Sequence, residues 1–248
     1  MEKKYILTDD VIDFNVHTLH RIKAVRDFDC VKAGDLGGFI ESEKNLDHDG
    51  DAWVSGDAIV LGDARVSGDA IVLGDAIVSD NARVSGDARV LGDARVLDNA
   101  RVLGDAIVLG DAIVSGDALV SGSARVLGDA RVSGDARVLD DAIVSDSALV
   151  SGSARVLGNV RVLGDAMVSG DAMVSGNADY TTVHGFGRYF RTTTFFRCNN
   201  GVVICQCGCF YGSIDEFRAK VRETHGNSKY AKEYLMIADL MELHFKED

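Results

Sequence analysis

Proline is missing from all 248 residues, and the tract from residue 50 to 181 contains no histidine, lysine or glutamate. Without proline no turn is set by a locked φ, so corners fall to glycine, aspartate and asparagine. Without histidine, lysine or glutamate, more than half of the chain has no side chain suited to trading protons near neutral pH. There is also no run of 18 apolar residues, which argues against a membrane-spanning helix, and no membrane partner is expected. The opening stretch MEKKYILTDDVIDF meets acid too early to form the apolar core of a signal peptide, so a cytoplasmic protein is expected. The five cysteines, an odd number with four between residues 198 and 209, read as reduced thiols and not as a disulfide framework. Acidic residues outnumber basic ones 39 to 26, giving a net charge of −13. That balance disfavours direct nucleic-acid binding, which needs clustered Lys and Arg. No cofactor is expected.

What the chain does have is one phrase. From Gly50 to Thr181 it divides into 22 consecutive hexads with no insertion, with consensus Gly-Asp-Ala-x-Val-(Ser/Leu), where x is Arg, Ile, Leu or Met. A helix does not fit. A six-residue period never builds one apolar face on a 3.6-residue helix, and each glycine would cost about 1 kcal/mol. In a short strand, Ala and Val two residues apart point to one side while x and Ser/Leu point to the other, and Gly-Asp makes the corner. Three such strands make an 18-residue triangular coil, stacked at ~4.8 Å, and about seven coils give a prism of roughly 35 Å.

The phrase VSGDAR resembles the hexapeptide repeat of left-handed parallel β-helix proteins, in which an aliphatic residue is followed four positions later by a small one. The left hand of the coil is implied by that resemblance, not by the spacing. The segment LHRIKAVRDFDCVKAGDLGGFIESEKNL looks like the opening segment of a bacterial and phage family of single-stranded left-handed β-helices, many labelled transferases. The likeness rests on Ala24-Val25, Asp27-Phe28, Val31-Lys32-Ala33-Gly34 and Gly37-Gly38. It implies that residues 1–49 form an N-terminal β cap, which suits the physics, since an open coil end leaves a strand edge unpaired. The expected organisation is a mainly β chain: cap 1–49, β-helix 50–181, and a small α+β domain at 182–248.

Taking every third hexad together sorts the outward positions into faces. One carries Arg65, Arg83, Arg101, Arg137 and Arg155, with Leu119 and Met173 in the same column; corner aspartates are expected to neutralise it in a surface salt-bridge lattice. A second carries Trp53, Ile71, Leu73, Leu91, Ile107, Leu109, Leu127, Ile143 and Leu163, too much apolar surface for a lone prism and a candidate interface. The same tract holds 20 Asp and 10 Arg, so most of the negative charge lies on it. Aspartate suits corners for structural reasons, and its regular columns would also suit a basic partner.

Hexapeptide β-helices are best known as acyltransferases with a histidine base, but all six histidines here lie outside residues 50–181. The catalytic alternative is an acyltransferase site between subunits near His184, just after the last coil. Beyond Tyr180 the composition changes. RTTTFFRCNNGVVICQCGCF reads as a β-hairpin turning at Asn200-Gly201, with Cys198, Cys205, Cys207 and Cys209 on one side as a possible metal set or, alternatively, as buried packing. Ser213-x-x-Glu216 opens a first helix that Gly226 ends, and Asn227 or Ser228 opens a second. Arg188, Arg191 and Arg197 leave this region near charge balance, the part most able to touch an anion. The phrases RTTTFF, CGCF and RETHG resemble a small domain at the ends of phage and prophage repeat proteins, which implies a phage or prophage origin and an inhibitor of a host protein. The expected function is a non-enzymatic, acidic scaffold acting on a protein partner, basic or a second copy in a homo-oligomer. The alternatives are a nucleic-acid mimic that inhibits a DNA- or RNA-binding protein, and the acyltransferase.

Overall fold

The computed structural model describes residues 2–246. Each hexad but the last, residues 176–181, forms one short strand, and the strands stack in parallel onto those 18 residues away, as in Arg89↔Ile107 and Val90↔Val108. Three parallel sheets result, one per side of the prism. The coils are joined by backbone bonds such as Ile107 N–H to Ala124 O (2.9 Å) and Ser115 N–H to Val132 O (2.9 Å). Ala and Val of the hexads from Ala52 to Val174 are buried and form one continuous core, whereas Ala178 of the last hexad is exposed. Alanine is small enough to let three walls meet, and valine fills the centre with a branched side chain suited to strands.

The corners explain the glycine. The first residue of nearly every hexad has positive φ, for example +76° at Gly86, where an added Cβ would come within 2.9 Å of the Gly104 amide nitrogen in the next coil. A side chain there meets both an unfavourable dihedral and a crowded backbone. Four corners nevertheless use aspartate: Asp80, Asp98, Asp140 and Asp146, at φ of 61° to 63°. Asp98, Asp140 and Asp146 each accept a bond from the amide of the corner one coil on, at 2.9 to 3.0 Å from Gly116, Gly158 and Gly164. Aspartate tolerates the left-handed region, and these bonds help to offset its cost. Beside them Asn81 donates to Asn99 and Asn99 to Asp117, a side-chain ladder along one edge.

The winding starts earlier than the hexads do. Strand Leu36–Ile40 lies parallel to Ile59–Val60, and Leu46 bridges Val66, so residues assigned to the cap form a further coil and the prism has about eight turns instead of seven. The spacing to the next coil there is 20 residues, two more than in the hexads, which hid it from a strict repeat. An antiparallel hairpin, Tyr5–Phe14 with His17–Ala24, continues that sheet beyond the coil. Tyr5, Ile22, Phe28 and Val31 join the solenoid core over Trp53, closing its end. Lys4 is fully buried there, its Nζ donating to Gly50 O (3.2 Å) and lying 5.5 Å from the centre of the Phe28 ring. Burial lowers its pKa from an ordinary 10.5 to about 8, against the opposing pull of Asp47 and Asp51.

At the other end stands a four-stranded antiparallel sheet, Tyr180–Phe186, Arg191–Arg197, Val203–Cys207 and Phe210–Ser213, where the sequence suggested a hairpin alone. One face of it, with Phe196 and Cys198, packs into the solenoid core; the other, with Phe195 and Cys205, packs under helices α1 (Ile214–His225) and α2 (Lys229–His244). Ser213 caps α1 with its reciprocal Glu216 bond, Gly226 ends it, and Ser228 caps α2, as the local signals predict. None of the described helices is long and apolar enough to cross a membrane.

Two predictions follow from this packing. Val108→Ala, which empties part of the shared interior, will lower stability by about 2 kcal/mol, whereas Leu109→Ala on the outside will cost under about 0.5 kcal/mol in urea unfolding. For Lys4 the folded pKa lies below the unfolded one, so the unfolded chain binds more protons between about pH 8 and 10.5. Stability should therefore rise with pH across that window; Lys4→Met, measured by unfolding midpoint at each pH, will remove that rise.

Candidate functional site

The prism wall is a set of side-chain columns. Arg65, Arg83 and Arg101 stand in register, followed by Leu119, then Arg137 and Arg155, then Met173, in the column the six-residue phase predicts. The expected salt-bridge lattice is not formed: among the described residues no arginine of the hexads makes an ion pair with an aspartate. Asp69, Asp80, Asp98, Asp117, Asp140 and Asp146 instead bond along the prism axis to backbone or to asparagine.

The second face carries a ridge. Leu73, Leu91, Leu109 and Leu127 lie in strict register on successive coils, with Leu109 exposed by 41% and Leu73 by 43%. Leu163 lies on the same face two coils beyond Leu127 and is 43% exposed. Beside the ridge Ile71, Ile107 and Ile143 alternate with Arg89, Arg125 and Arg161, a regular alternation that the hydrophobic reading of this face passed over. Alternation keeps like charges two coils apart, which reduces their repulsion. Trp53 does not belong to the exposed surface, being only 6% exposed under the N-terminal hairpin and edge-on to Phe28 at 5.3 Å. Trp53, expected on the interface face, is instead a core residue at the N-terminal end of the solenoid.

Where the ridge ends, the corner begins. A groove of about 590 Å³ runs along it, lined by Asp75, Asp93, Asp111 and Asp129 and by Ile77, Arg95, Ile113 and Arg131 of the third face. Unit charges at the ~4.8 Å stacking distance repel by about 1 kcal/mol per neighbouring pair in bulk water before salt screens them. The wall thus offers an apolar ridge bordered by concentrated negative charge.

At the C-terminal end the four cysteines are not brought together. Cys198 faces the solenoid and Cys205 the helices, on opposite sides of the sheet, while Cys209 sits in the turn after Cys207. In the register Phe196↔Ile204 and Phe195↔Cys205, Cys205 stands opposite Phe195, and the odd separation of Phe195 from Cys198 along the chain puts the two thiols on different faces. Among the described residues no group of three or more His, Cys, Asp or Glu could hold a metal ion. Burial pushes the thiols of Cys198 and Cys205 up, so both stay protonated and unreactive. His184 is exposed on strand Tyr180–Phe186, its Nδ1 3.0 Å from Thr192 Oγ1, and among the described residues it has no carboxylate partner to orient it as a base. Another imidazole, the half-buried His48, stacks on Tyr5 at 4.3 Å and receives the Lys4 amide at Nδ1 (3.4 Å); burial lowers its pKa.

Comparison with known proteins agrees with the fold. Residues 64–80, 78–92, 82–98 and 130–146 match the family described as YdcK Beta solenoid repeat, covering about a fifth of the chain. No curated protein matches it. The matched stretches lie within the stacked hexads, and the chain is a β-solenoid repeat protein.

Proposed function

We propose that the solenoid is a rigid, non-enzymatic scaffold that acts by protein–protein contact through its leucine ridge, first of all with a second copy of itself. The observation that carries this reading is the in-register row Leu73, Leu91, Leu109 and Leu127 on an unbroken wall. Contiguous apolar surface of this kind marks an interface, and here the backbone lattice holds it without the ordering cost of a loop. A two-fold axis parallel to the prism would set the Arg89, Arg125 and Arg161 edge of one copy against the leucine and aspartate edge of the other. Opposite charges would then flank an apolar centre, the usual anatomy of an isologous contact.

The aspartate columns favour a further partner with a basic surface, for which regularly spaced carboxylates can stand in for phosphates. The resemblance of both terminal segments to phage and prophage proteins fits inhibition of a host protein as the use of such a surface. The hexads hold no histidine to act as the base that the acyltransferase reading calls for, which makes that reading the weaker one.

Charging the ridge with Ile107→Glu and Leu109→Glu tests self-association. Sedimentation equilibrium should give a multiple of 26.5 kDa for the unaltered protein and the single-chain mass for the variant, with unchanged circular dichroism. A single-chain mass for both would end the proposal of self-association. Binding to a basic partner should weaken steeply with added salt, and salt-insensitive binding would count against the acidic columns as its contact.

A further inference from the structure

The C-terminal domain contains a cleft that the scaffold reading does not use. It encloses about 310 Å³ between the loop at residues 187–190, the turn at Cys207–Phe210 and the facing sides of α1 and α2. That volume is at the lower end of what small-ligand sites enclose. Its walls are aromatic: Phe210 and Phe217 lie 5.5 Å apart between ring centres, Phe217 and Tyr234 5.7 Å, and His225 stacks on Tyr234 at 5.8 Å.

The cationic groups at its mouth are held in place by specific backbone features. Gly187, at φ +74°, donates its N–H to Glu233 (3.0 Å) and lies so close to Tyr234 that a Cβ would fall 2.0 Å from the hydroxyl oxygen. This contact pins the start of the loop onto α2. Arg188 and Arg191 then lie 5.5 and 5.1 Å from the centre of the Tyr189 ring. Gly208, at φ +59°, leaves the space that the Arg191 guanidinium occupies, since a Cβ there would come within 2.5 Å of Nη1. The chain accepts two left-handed backbone positions, Gly187 and Gly208, and a third at Phe190 (φ 52°), around this one opening.

The charges are also unspent. Glu233 is engaged by the Gly187 amide and by Lys229 (3.3 Å), and Glu223 by Lys220 (3.0 Å). Among the described residues, neither Arg188 nor Arg191 has an ion-pair partner. Tyr189 is 64% exposed, its ring presented to solvent between two guanidinium groups. A guanidinium recognises carboxylate and phosphate oxygens through paired N–H donors, and aromatic walls prefer a flat apolar body.

We propose that this cleft binds a small planar aromatic ligand that carries one anionic group, with the ring between Tyr189 and the Phe210–Tyr234 wall and the anion on Arg188 and Arg191. The shared chemistry is an aryl body plus a carboxylate or a phosphate. Titration calorimetry on the full chain distinguishes the two with 2-naphthoate and adenosine 5′-monophosphate as probes, and 2-naphthalenemethanol and adenosine as their neutral counterparts. Saturable binding of either anionic probe, at least tenfold tighter than its neutral counterpart, is the expected result; which probe binds identifies the anion. Arg191→Gln should weaken that binding at least tenfold. Arg188→Gln and Tyr189→Ala, both on an exposed loop where folding is not at stake, should weaken it severalfold. The proposal is overturned if neither anionic probe binds, if the neutral counterparts bind equally well, or if Arg188→Gln and Tyr189→Ala leave affinity unchanged.

Discussion

The structure depends on a left-handed corner recurring every sixth residue. Only if each corner takes the same dihedrals do successive coils superimpose, and only superimposed coils place every strand at hydrogen-bonding distance from the next. The Gly86 and Gly104 backbones approach too closely for a side chain between them, so the corner column is itself a packed contact and not a passive turn. Aspartate enters the same position where its carboxylate can reach the neighbouring coil's amide, as at Asp98, Asp140 and Asp146. Much of the acidity of this protein is therefore a consequence of how it turns.

That origin changes how the surface is understood. Aspartates such as Asp98 and Asp140 are engaged along the axis by backbone amides, and among the described residues no arginine of the hexads pairs with an aspartate. Corner carboxylates lie beyond the sheet edge, while x residues project from its face. The prism then carries separate stripes of each sign, which a lattice of internal salt bridges would have erased. A partner of the kind proposed would meet unneutralised charge at fixed spacing on a backbone that does not have to rearrange.

Regular parts of the molecule were legible in the sequence because one local rule recurs. The period assigns Ala and Val inward and predicts that Arg83 stacks on Arg65 and Leu109 on Leu91, and the helix caps at Ser213 and Ser228 need only their own neighbours. The ends were less legible because their packing is set across long sequence separations. Nothing local distinguishes Phe195 from Phe196, yet one faces the helices and the other plugs the solenoid. Trp53 occupies an outward hexad position and is covered only because the N-terminal hairpin folds over it. The two-residue lengthening between Ile40 and Val60 concealed a coil from a search for strict sixes. The cleft near Tyr189 shows the same limit: Arg188 and Arg191 were visible as charges, but their approach to Phe210 and Tyr234 depends on Gly187 and Gly208, whose roles appear only once the strands are assembled.

Both ends are closed in different ways, and the difference bears on where chemistry can arise. The N-terminal end is sealed by core packing around Lys4, Tyr5, Phe28 and Trp53, which leaves a buried amine beneath the loop at residues 25–35. The C-terminal end is sealed by one face of a sheet, and the sheet's other face must then be covered by helices of its own. Covering it creates a second core, and the junction of loop, turn and helices at that core's margin is irregular enough to form a concave site. A wall of near-identical coils forms instead a groove of repeating composition, because any side chain added at one coil is repeated or flanked by its copies at ~4.8 Å. On the two proposals made above, selective recognition of a small ligand would belong to the terminal domain, and recognition of an extended surface to the wall.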